Sequence, residues 1–303
     1  MTLVATLIAN PQNPVLSEAA AERAASAIGG SHIGWLAPGI ACDLRLPDSM
    51  DRLEAETRLR AAMADLPVDV AVQHGETRRK RGLIADMDST MIGQECIDEL
   101  AELVGLREPV SRITARAMNG EIEFEPALRE RVALLKDLPV SVIADVVASR
   151  ITLTPGGPEL VATMRANGAW TALVSGGFTR FTGPVAAMLG FDEHRANILD
   201  EAGGVLAGTV REPILGRQAK VDALAAISRE HGLEPADFMA VGDGANDLGM
   251  LALAGCGVAA HARPSVAAQA QIRIDHGDLT ALLYLQGYTI DRFASPSPEF
   301  QRD

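Results

Sequence analysis

The hydrophobic and polar positions of residues 1–76 follow two different periods. Apolar or alternating runs are typical of strands, and apolar positions three or four residues apart are typical of amphipathic helices. Ser17 is a suitable N-cap for the first helix, which Gly29 and Gly30 would end. The order of elements, with an additional strand at residues 33–36, predicts an α+β sandwich of the ferredoxin-like type. The other predicted strands are residues 3–8, 40–46 and 68–72, and the predicted helices are residues 17–28 and 49–63.

From residue 82 onward, runs that predict buried strands alternate with helical patterns. This alternation is typical of an α/β fold, a doubly wound parallel sheet with helices on both faces. Four helical segments follow the first strand directly, so we expect them to form a cap above the sheet. Residues 196–210 predict a hairpin with Gly203 and Gly204 at its turn. The core strands are predicted at residues 83–85, 171–175 and 238–241, one core helix at 219–231, and the cap helices at 92–104, 110–118, 126–135 and 140–149.

These patterns divide the chain into an α+β domain at residues 1–76, a core domain at 77–290 and a loose tail at 291–303. The cap occupies about residues 92–150 of the core domain. The basic run at residues 76–81 could form a nucleic-acid patch or a solvated linker between the domains. The whole chain is acidic, which favours the linker.

Composition narrows the class of protein. The 303 residues are 48% hydrophobic and 22% charged, which is ordinary for a globular protein. The net charge of −13 argues against a broad nucleic-acid or anionic-membrane surface. Cys42, Cys96 and Cys256 are widely spaced, so we expect buried thiols rather than disulfides. We expect a cytoplasmic protein, since neither a signal-peptide pattern nor a membrane-spanning apolar run is present.

Two acidic clusters follow predicted strands. Asp86 and Asp88 come directly after one strand, and Asp243 and Asp247 come after another. The carboxyl ends of parallel strands meet at one edge of a sheet, where ligands bind. Neighbouring carboxylates raise each other's pKa unless a cation lies between them. The clusters therefore predict a site for a metal, for proton transfer, or for both, and oxygen ligands of this kind suit Mg²⁺.

Two further features of the same edge suit a phosphate group. Ser175-Gly176-Gly177 is predicted to form a turn after a strand, with a hydroxyl and backbone N–H groups open to an anion. Lys220 stands at the start of a predicted helix and could supply a positive charge. Together with the acids, these groups predict a metal-assisted phosphoryl-transfer site.

The chain resembles the haloacid-dehalogenase superfamily of phosphotransferases over about residues 82–287. The motif DMDST at residues 86–90, Ser175-Gly176-Gly177, Lys220 and GDGANDLGML at residues 242–251 occur in the superfamily's order and spacing. The helical insert, with Glu95 nine positions after Asp86 and the segment at residues 124–135, resembles the cap of its phosphoserine phosphatase branch.

The resemblance implies a role for each acid of the site. Asp86 would be the nucleophile that forms an aspartyl-phosphate, and Asp88 would be the general acid and base. Mg²⁺ would be held by the Asp86 side chain, the Asp88 backbone carbonyl and Asp243, with support from Asp247.

It also implies the residues that bind the substrate. Four of them would hold the phosphate or lie beside it, and four belong to the cap. In the cap, Glu95 would pair with a substrate ammonium and Arg131 with its carboxylate, while Met118 and Phe124 would exclude water. The four residues that would hold the phosphate or lie beside it are Ser175, Gly176, Lys220 and Asn246.

Each residue alone also permits an ordinary structural interpretation. Ser175-Gly176-Gly177 could be a simple turn, Lys220 a solvated helix residue, and Arg131 an intrahelical partner for an acid. Glu95 and Glu99 both flank the same apolar stripe of their helix, and the pattern does not choose between them. A calcium loop opening at Asp86 is disfavoured by its sixth and twelfth positions.

The function implied by the resemblance is Mg²⁺-dependent hydrolysis of O-phospho-L-serine to L-serine and phosphate, the last step of serine biosynthesis. The alternatives are a related phosphatase or phosphotransferase for another small phosphomonoester, and a non-catalytic amino-acid sensor. The N-terminal domain resembles the ACT regulatory domain in the order of its elements, and a homodimer through that domain is possible. Neither nucleic acid nor membrane is expected as a partner.

Overall fold

The computed structural model describes residues 2–30, 32–118 and 121–296, with the side chains of residues 117 and 118 excepted. Its N-terminal domain has a four-stranded antiparallel sheet in the order β2-β3-β1-β4. The predicted ferredoxin-like order of elements is confirmed, including the extra strand. The elements are β1 (Leu3–Ala9), α1 (Glu18–Ala27), β2 (Ile33–Ala37), β3 (Ala41–Arg45), α2 (Arg52–Ala62) and β4 (Val68–His74).

Side-chain caps define where the two helices of this domain begin. Ser17 Oγ accepts a hydrogen bond from the Ala20 N–H at 3.2 Å, as the sequence predicted. The second helix was predicted to begin at residue 49, but it begins after Asp51, whose carboxylate accepts from the Glu54 N–H at 3.0 Å. The two helices cover one face of the sheet and form a separate apolar core with it.

The core domain contains a six-stranded parallel sheet in the order β12-β11-β10-β5-β6-β7. Helices α7, α8 and α12 share an apolar cluster with one face, and α9, α10 and α11 share one with the other. The predicted doubly wound fold is therefore confirmed. The strands are β5 (Gly82–Ala85), β6 (Trp170–Phe178), β7 (Glu193–Asn197), β10 (Phe238–Gly242), β11 (Cys256–Ala260) and β12 (Ile272–Ile274); the helices are α7 (Gly157–Ala166), α8 (Thr179–Leu189), α9 (Arg217–Glu230), α10 (Leu248–Leu253), α11 (Pro264–Ala267) and α12 (Ala281–Leu285).

The first four of the helices between β5 and β6 form the predicted cap, and the hairpin β8–β9 packs against it. Backbone bonds from Asp137 N–H to the Leu206 carbonyl and from Val140 N–H to the Gly204 carbonyl join hairpin and cap. The first cap helix begins at Cys96 rather than at residue 92, because Ile92 forms a β-bridge instead. The elements are α3 (Cys96–Leu103), α4 (Arg107–Met118), α5 (Phe124–Ala133), α6 (Ser141–Ser149), β8 (Leu199–Ala202) and β9 (Val205–Val210).

The two domains are joined by buried polar contacts. Asp69 of β4 is 3% exposed, and its carboxylate accepts hydrogen bonds from the backbone N–H groups of residues 275, 276 and 277 at 2.7–3.2 Å. The prediction of a solvated linker at residues 76–81 is wrong in part. Arg78 pairs with Asp43 at 2.7 Å, and Lys80 is buried, because the linker runs along the surface where the domains meet.

The three cysteines are buried and free, as predicted. Of the predicted tail, the structure describes residues 291–296, where Phe293 packs on Tyr284 at 5.1 Å and the Ala294 N–H donates to Thr163 Oγ1 at 2.8 Å. Residues 297–303 lie outside the described part of the chain. No helix in the described ranges is long and apolar enough to cross a bilayer.

Candidate active site

Asp86 lies at the carboxyl end of the central strand β5, between β10 and β6. Asp86 is 5% exposed, and its Oδ1 accepts a hydrogen bond from the Met87 N–H at 2.8 Å. The chain then makes a single tight turn over Met87–Met91, in which Ser89 has a φ of 52°. This left-handed conformation is costly for a residue other than glycine and is typical of functional sites.

Lys220 connects the two acidic clusters. Its Nζ lies 2.7 Å from Asp86 Oδ2 and 2.5 Å from Asp247 Oδ1, and the lysine is 3% exposed. The alternative of a solvated helix lysine is therefore excluded. The first turn of α9 brings this ammonium to the end of the sheet, where it is the charge partner of both acids.

Burial and charge perturb the ionisation of these groups. Burial first, and then the charge of Asp247, raise the pKa of Asp86 well above its usual range, although Lys220 opposes the shift. Burial by itself would lower the pKa of Lys220, but the charges of Asp86 and Asp247 raise it above its ordinary value. Burial therefore opposes the effect of the neighbouring charges on the pKa of Lys220, whereas burial and the charge of Asp247 act together on the pKa of Asp86.

Asp88 is hydrogen-bonded to the start of the cap and to β6. Its Oδ1 accepts from the Cys96 N–H at 3.0 Å, and its Oδ2 accepts from Ser175 Oγ at 3.3 Å. Burial raises the pKa of Asp88, and the bond from Cys96 opposes the shift. A carboxyl that is buried and held two residues after Asp86 can carry a proton at neutral pH more readily than an exposed one.

The Ser175-Gly176-Gly177 segment is not a turn, and that prediction is wrong. It continues β6 as an irregular strand to Phe178, which pairs with Asn197 of β7. The Gly177 N–H donates to Ser175 Oγ at 2.9 Å. A Cβ at position 177 would lie 3.0 Å from Asp88 Oδ2, so glycine leaves the space that the acid occupies.

Asp243 and Asp247 follow β10 as predicted. Asp243 Oδ1 accepts from Thr90 Oγ1 at 3.1 Å, and Asp247 Oδ2 accepts from the Gly244 N–H at 3.0 Å. Burial, followed by the charge of Asp247, raises the pKa of Asp243. Carboxylate oxygens of Asp86, Asp243 and Asp247 all lie within 4.8 Å of one another, which is a suitable set of hard ligands for a divalent ion.

Asn246 and Phe124 lie at the border of the site. Asn246 belongs to the β10–α10 loop, where its Oδ1 lies 2.2 Å from the position that a Cβ on Gly244 would take. Phe124 of the cap lies over the end of β6, since a Cβ at position 176 would be 3.4 Å from the Phe124 Cζ. Met118 ends α4, and its side chain lies outside the described residues.

The cap contributes the predicted acidic residue Glu95 and the predicted cationic residue Arg131. Glu95 Oε1 accepts from Ser89 Oγ at 2.8 Å, whereas Glu99 pairs with Arg150 at 3.2 Å, so the structure distinguishes the two glutamates. Burial and then the charge of Asp88 raise the pKa of Glu95 to about 7.

Arg131 is half-buried and donates to the Ala127 carbonyl at 3.2 Å and to Thr114 Oγ1 at 3.4 Å. It does not pair with an acid of its own helix among the described residues, which excludes that alternative. Burial lowers its pKa, and the charges of Asp98, Glu95 and Asp88 oppose the shift.

Sequence reasoning missed three residues that shape the site. Thr90 is part of the first motif but was given no role, although its hydroxyl binds Asp243. Asn197 donates a hydrogen bond to the Gly176 carbonyl of β6, and Arg217 donates to the Ala245 carbonyl at 2.7 Å. Only the position of Asn197 at a strand end and of Arg217 beside Lys220 could have indicated them.

The family model of haloacid dehalogenase-like hydrolases matches residues 83–252, which contain every acid of the candidate active site. The chain belongs to this family. It is similar to a phosphoserine phosphatase of Vibrio cholerae serotype O1, with 43% identity over 234 residues, which are 77% of this chain and 70% of that protein.

Two solved structures extend the comparison. An unliganded crystal structure of a probable phosphoserine phosphatase from Vibrio cholerae has a TM-score of 0.78 and 31% identity, and it covers 96% of this chain and 88% of its own. That coverage includes the N-terminal domain. A substrate-bound phosphoserine phosphatase complex has a TM-score of 0.63 and 38% identity, and it covers 68% of this chain and 97% of its own.

Proposed function

We propose that the protein hydrolyses O-phospho-L-serine to L-serine and phosphate, the last step of serine biosynthesis, with Mg²⁺ as its cofactor. The observation that carries the proposal is the contact of Lys220 with Asp86 at 2.7 Å and with Asp247 at 2.5 Å, beside Ser175 and the two glycines. The similarity to phosphoserine phosphatases supports the choice of substrate.

Asp86 is the proposed nucleophile. Its carboxylate oxygen attacks phosphorus, the bond from phosphorus to the serine oxygen breaks, and an aspartyl-phosphate forms on Asp86. The Ser175 hydroxyl, the Gly176 N–H and the Lys220 ammonium hold the phosphate oxygens, with Asn246 close by. These donors are fixed before the reaction, so they stabilise charge where it develops without reorganisation.

Asp88 is the proposed general acid and base. Its carboxyl gives a proton to the departing serine oxygen, and its carboxylate then takes one from the water that attacks the aspartyl-phosphate. The raised pKa of Asp88 suits the first step, because a proton is retained nearer to neutral pH. The bond from the Cys96 N–H keeps the carboxyl in place between the two steps.

The residues present fit a divalent ion. The side chains of Asp86, Asp243 and Asp247 and the backbone carbonyl of Asp88 would hold Mg²⁺, and the oxygen-only donor set matches its preference. When bound, the ion supplies positive charge that permits an anionic carboxylate to approach an anionic phosphate.

The cap provides the proposed recognition of the amino acid. Glu95 would pair with the ammonium and Arg131 with the carboxylate, for which a planar guanidinium is well suited. Phe124, and Met118 with it, would exclude water. We further propose that the domains divide at residues 76–77 and that the ACT-like N-terminal domain can form a homodimer.

The test compares two arginines of α5. Arg131→Ala should lower kcat/KM for phosphoserine by about 100-fold or more, on the scale of a lost charge-assisted pair. It should lower kcat/KM for phosphoethanolamine, which lacks the carboxylate, far less. Arg129→Ala is the matched control, since Arg129 is exposed and pairs with Glu212. Equal losses on both substrates would assign Arg131 a structural role instead.

The second test removes the nucleophile without changing its shape. Asp86→Asn should abolish phosphate release while circular dichroism and the melting temperature still report a folded protein. Activity within tenfold of the wild type would remove Asp86 from its role. Adding an alcohol acceptor such as homoserine to the wild type separates hydrolysis from phosphoryl transfer.

A further inference from the structure

The surface where the N-terminal and core domains meet encloses a cavity of about 120 Å³, here called the seam cavity. Its walls come from α2, β4 and the linker on one side, and from the chain around β11 and β12 on the other. Three of the side chains that line it are cationic, Arg52, Arg78 and Lys80, and none of the described lining residues is acidic. In a chain of net charge −13, this is a local excess of positive charge.

Lys80 is the most buried of these cations. It is 9% exposed, and its Nζ donates to the Ala236 carbonyl at 2.9 Å, which uses one of three donors. Within the described ranges, the ammonium forms no ion pair with a carboxylate. Burial lowers its pKa, and the charges of Cys256 and Asp237 oppose the shift without an ion-pair contact. A buried ammonium that no carboxylate contacts is only partly compensated, so the site would gain from an anion.

The two arginines are held in different ways. Arg78 is paired with Asp43 at 2.7 Å, so its charge is largely compensated. Arg52 is exposed, and its Nη2 donates to the Gln271 carbonyl of the core domain at 2.9 Å. This bond keeps a guanidinium of the N-terminal domain at the same cavity as Lys80, with further N–H donors available.

We propose that the seam cavity binds a small oxyanion, either phosphate or a short carboxylate, with Lys80 and Arg52 as its charged partners. The volume of about 120 Å³ accommodates such an ion. Because Arg52 belongs to the N-terminal domain and Lys80 to the linker, the bound ion strengthens the contact between the domains. The site is separate from the Lys220 cluster.

The chain offers a direct observation of this site, since it contains only three lysines, Lys80, Lys136 and Lys220. We would label the lysine side chains of the full-length protein with ¹³C and assign the three signals with Lys80→Met and Lys136→Met. Sodium phosphate and sodium acetate would be titrated separately at constant ionic strength. The Lys80 signal should shift and saturate, while that of the exposed Lys136 should not.

The two titrations identify the anion, because phosphate alone, acetate alone or both can saturate the Lys80 signal. A Lys80 signal that moves no more than the Lys136 signal with either salt would overturn the proposal. Lys220 reports binding at the candidate active site separately, and no reading depends on turnover. The outcome therefore does not depend on the proposed phosphatase activity.

Thermal unfolding provides a second measurement. The anion that shifts Lys80 should raise the melting temperature of the wild type and of Lys136→Met. Its affinity should fall at least about tenfold in Lys80→Met, on the scale of a lost charged hydrogen bond. If Lys80→Met does not fold, Arg52→Met changes an exposed residue and gives the same comparison. Equal increases in all variants would refute the site.

Discussion

Asn197 connects the end of β6 to the segment before α9, and these two segments carry the proposed phosphate-binding groups. It ends β7, is 2% exposed, and donates through Nδ2 to the Gly176 carbonyl at 2.8 Å and to the Leu215 carbonyl at 3.3 Å. Its Oδ1 accepts from the Leu215 N–H at 2.7 Å. Leu215 precedes α9, so this one side chain sets the distance between the Gly176 N–H and the Lys220 ammonium.

Asn197→Ala would leave two carbonyls and one N–H of the backbone without this partner. A buried polar group without a partner costs about 1–3 kcal/mol, so the two short bonds amount to about 2–6 kcal/mol. Most of this range lies below the ~5–15 kcal/mol of a typical native state, so the variant should still fold. Turnover should fall by about 10–100-fold, since misplacement near 1 Å can cost about 100-fold.

Urea unfolding and phosphate release from phosphoserine would measure the two effects. Asn167→Ala is the matched control, because Asn167 Nδ2 donates to the Thr163 carbonyl at 2.8 Å at an exposed helix end. The control should lose at most about 1 kcal/mol of the unfolding free energy and retain its turnover. If Asn197→Ala is destabilised but retains kcat within twofold, Asn197 does not position the phosphate site.

The other predictions concern the acid, the domain contact and the metal. Gly177→Ala should lower kcat at least about tenfold, because the added Cβ would displace Asp88. Gly183→Ala is the control, since a Cβ there makes only ordinary contacts and kcat should not change. Equal kcat values for the two variants would contradict the prediction. Asp69→Ala should lower the unfolding free energy in urea by about 3–5 kcal/mol, since three N–H groups lose a charged acceptor; a loss below about 1 kcal/mol would contradict it. Chelation should abolish phosphate release, Mg²⁺ should restore it and Ca²⁺ should restore it poorly. Asp243→Asn should need more Mg²⁺, and full activity in excess chelator would exclude the metal.

The fold was predictable where local pattern and tertiary structure agree. Buried strands such as β5 and β10 are short apolar runs, and the acids that follow them must meet at one edge of a parallel sheet. The end of β6 was wrongly predicted to be a turn, because Gly176 and Gly177 favour turns locally. Pairing between Phe178 and Asn197, which no local pattern shows, keeps the chain extended.

The orientation of the cap residues depends on contacts between distant parts of the chain. Ile92 pairs with Leu153 and delays the first cap helix, so the helix register could not be read from periodicity. The choice of Glu95 over Glu99 likewise depends on Arg150, which comes from the end of α6. Asn197 has no motif at all, and only the two loops that it binds give it a role.

The charge balance of the site explains why a divalent ion is expected rather than a second lysine. Oxygens of Asp86, Asp243 and Asp247 lie within 4.8 Å of one another, so each ionised pair repels by at least about 3 kcal/mol at an effective dielectric constant near 20. Lys220 compensates one of the three negative charges. Burial is the first cause of the raised pKa of Asp86, the charge of Asp247 adds to it, and an ion of charge +2 would cancel the remaining charge of −2. Only with that charge cancelled can Asp86 stay ionised, as a nucleophile must, beside an incoming phosphate.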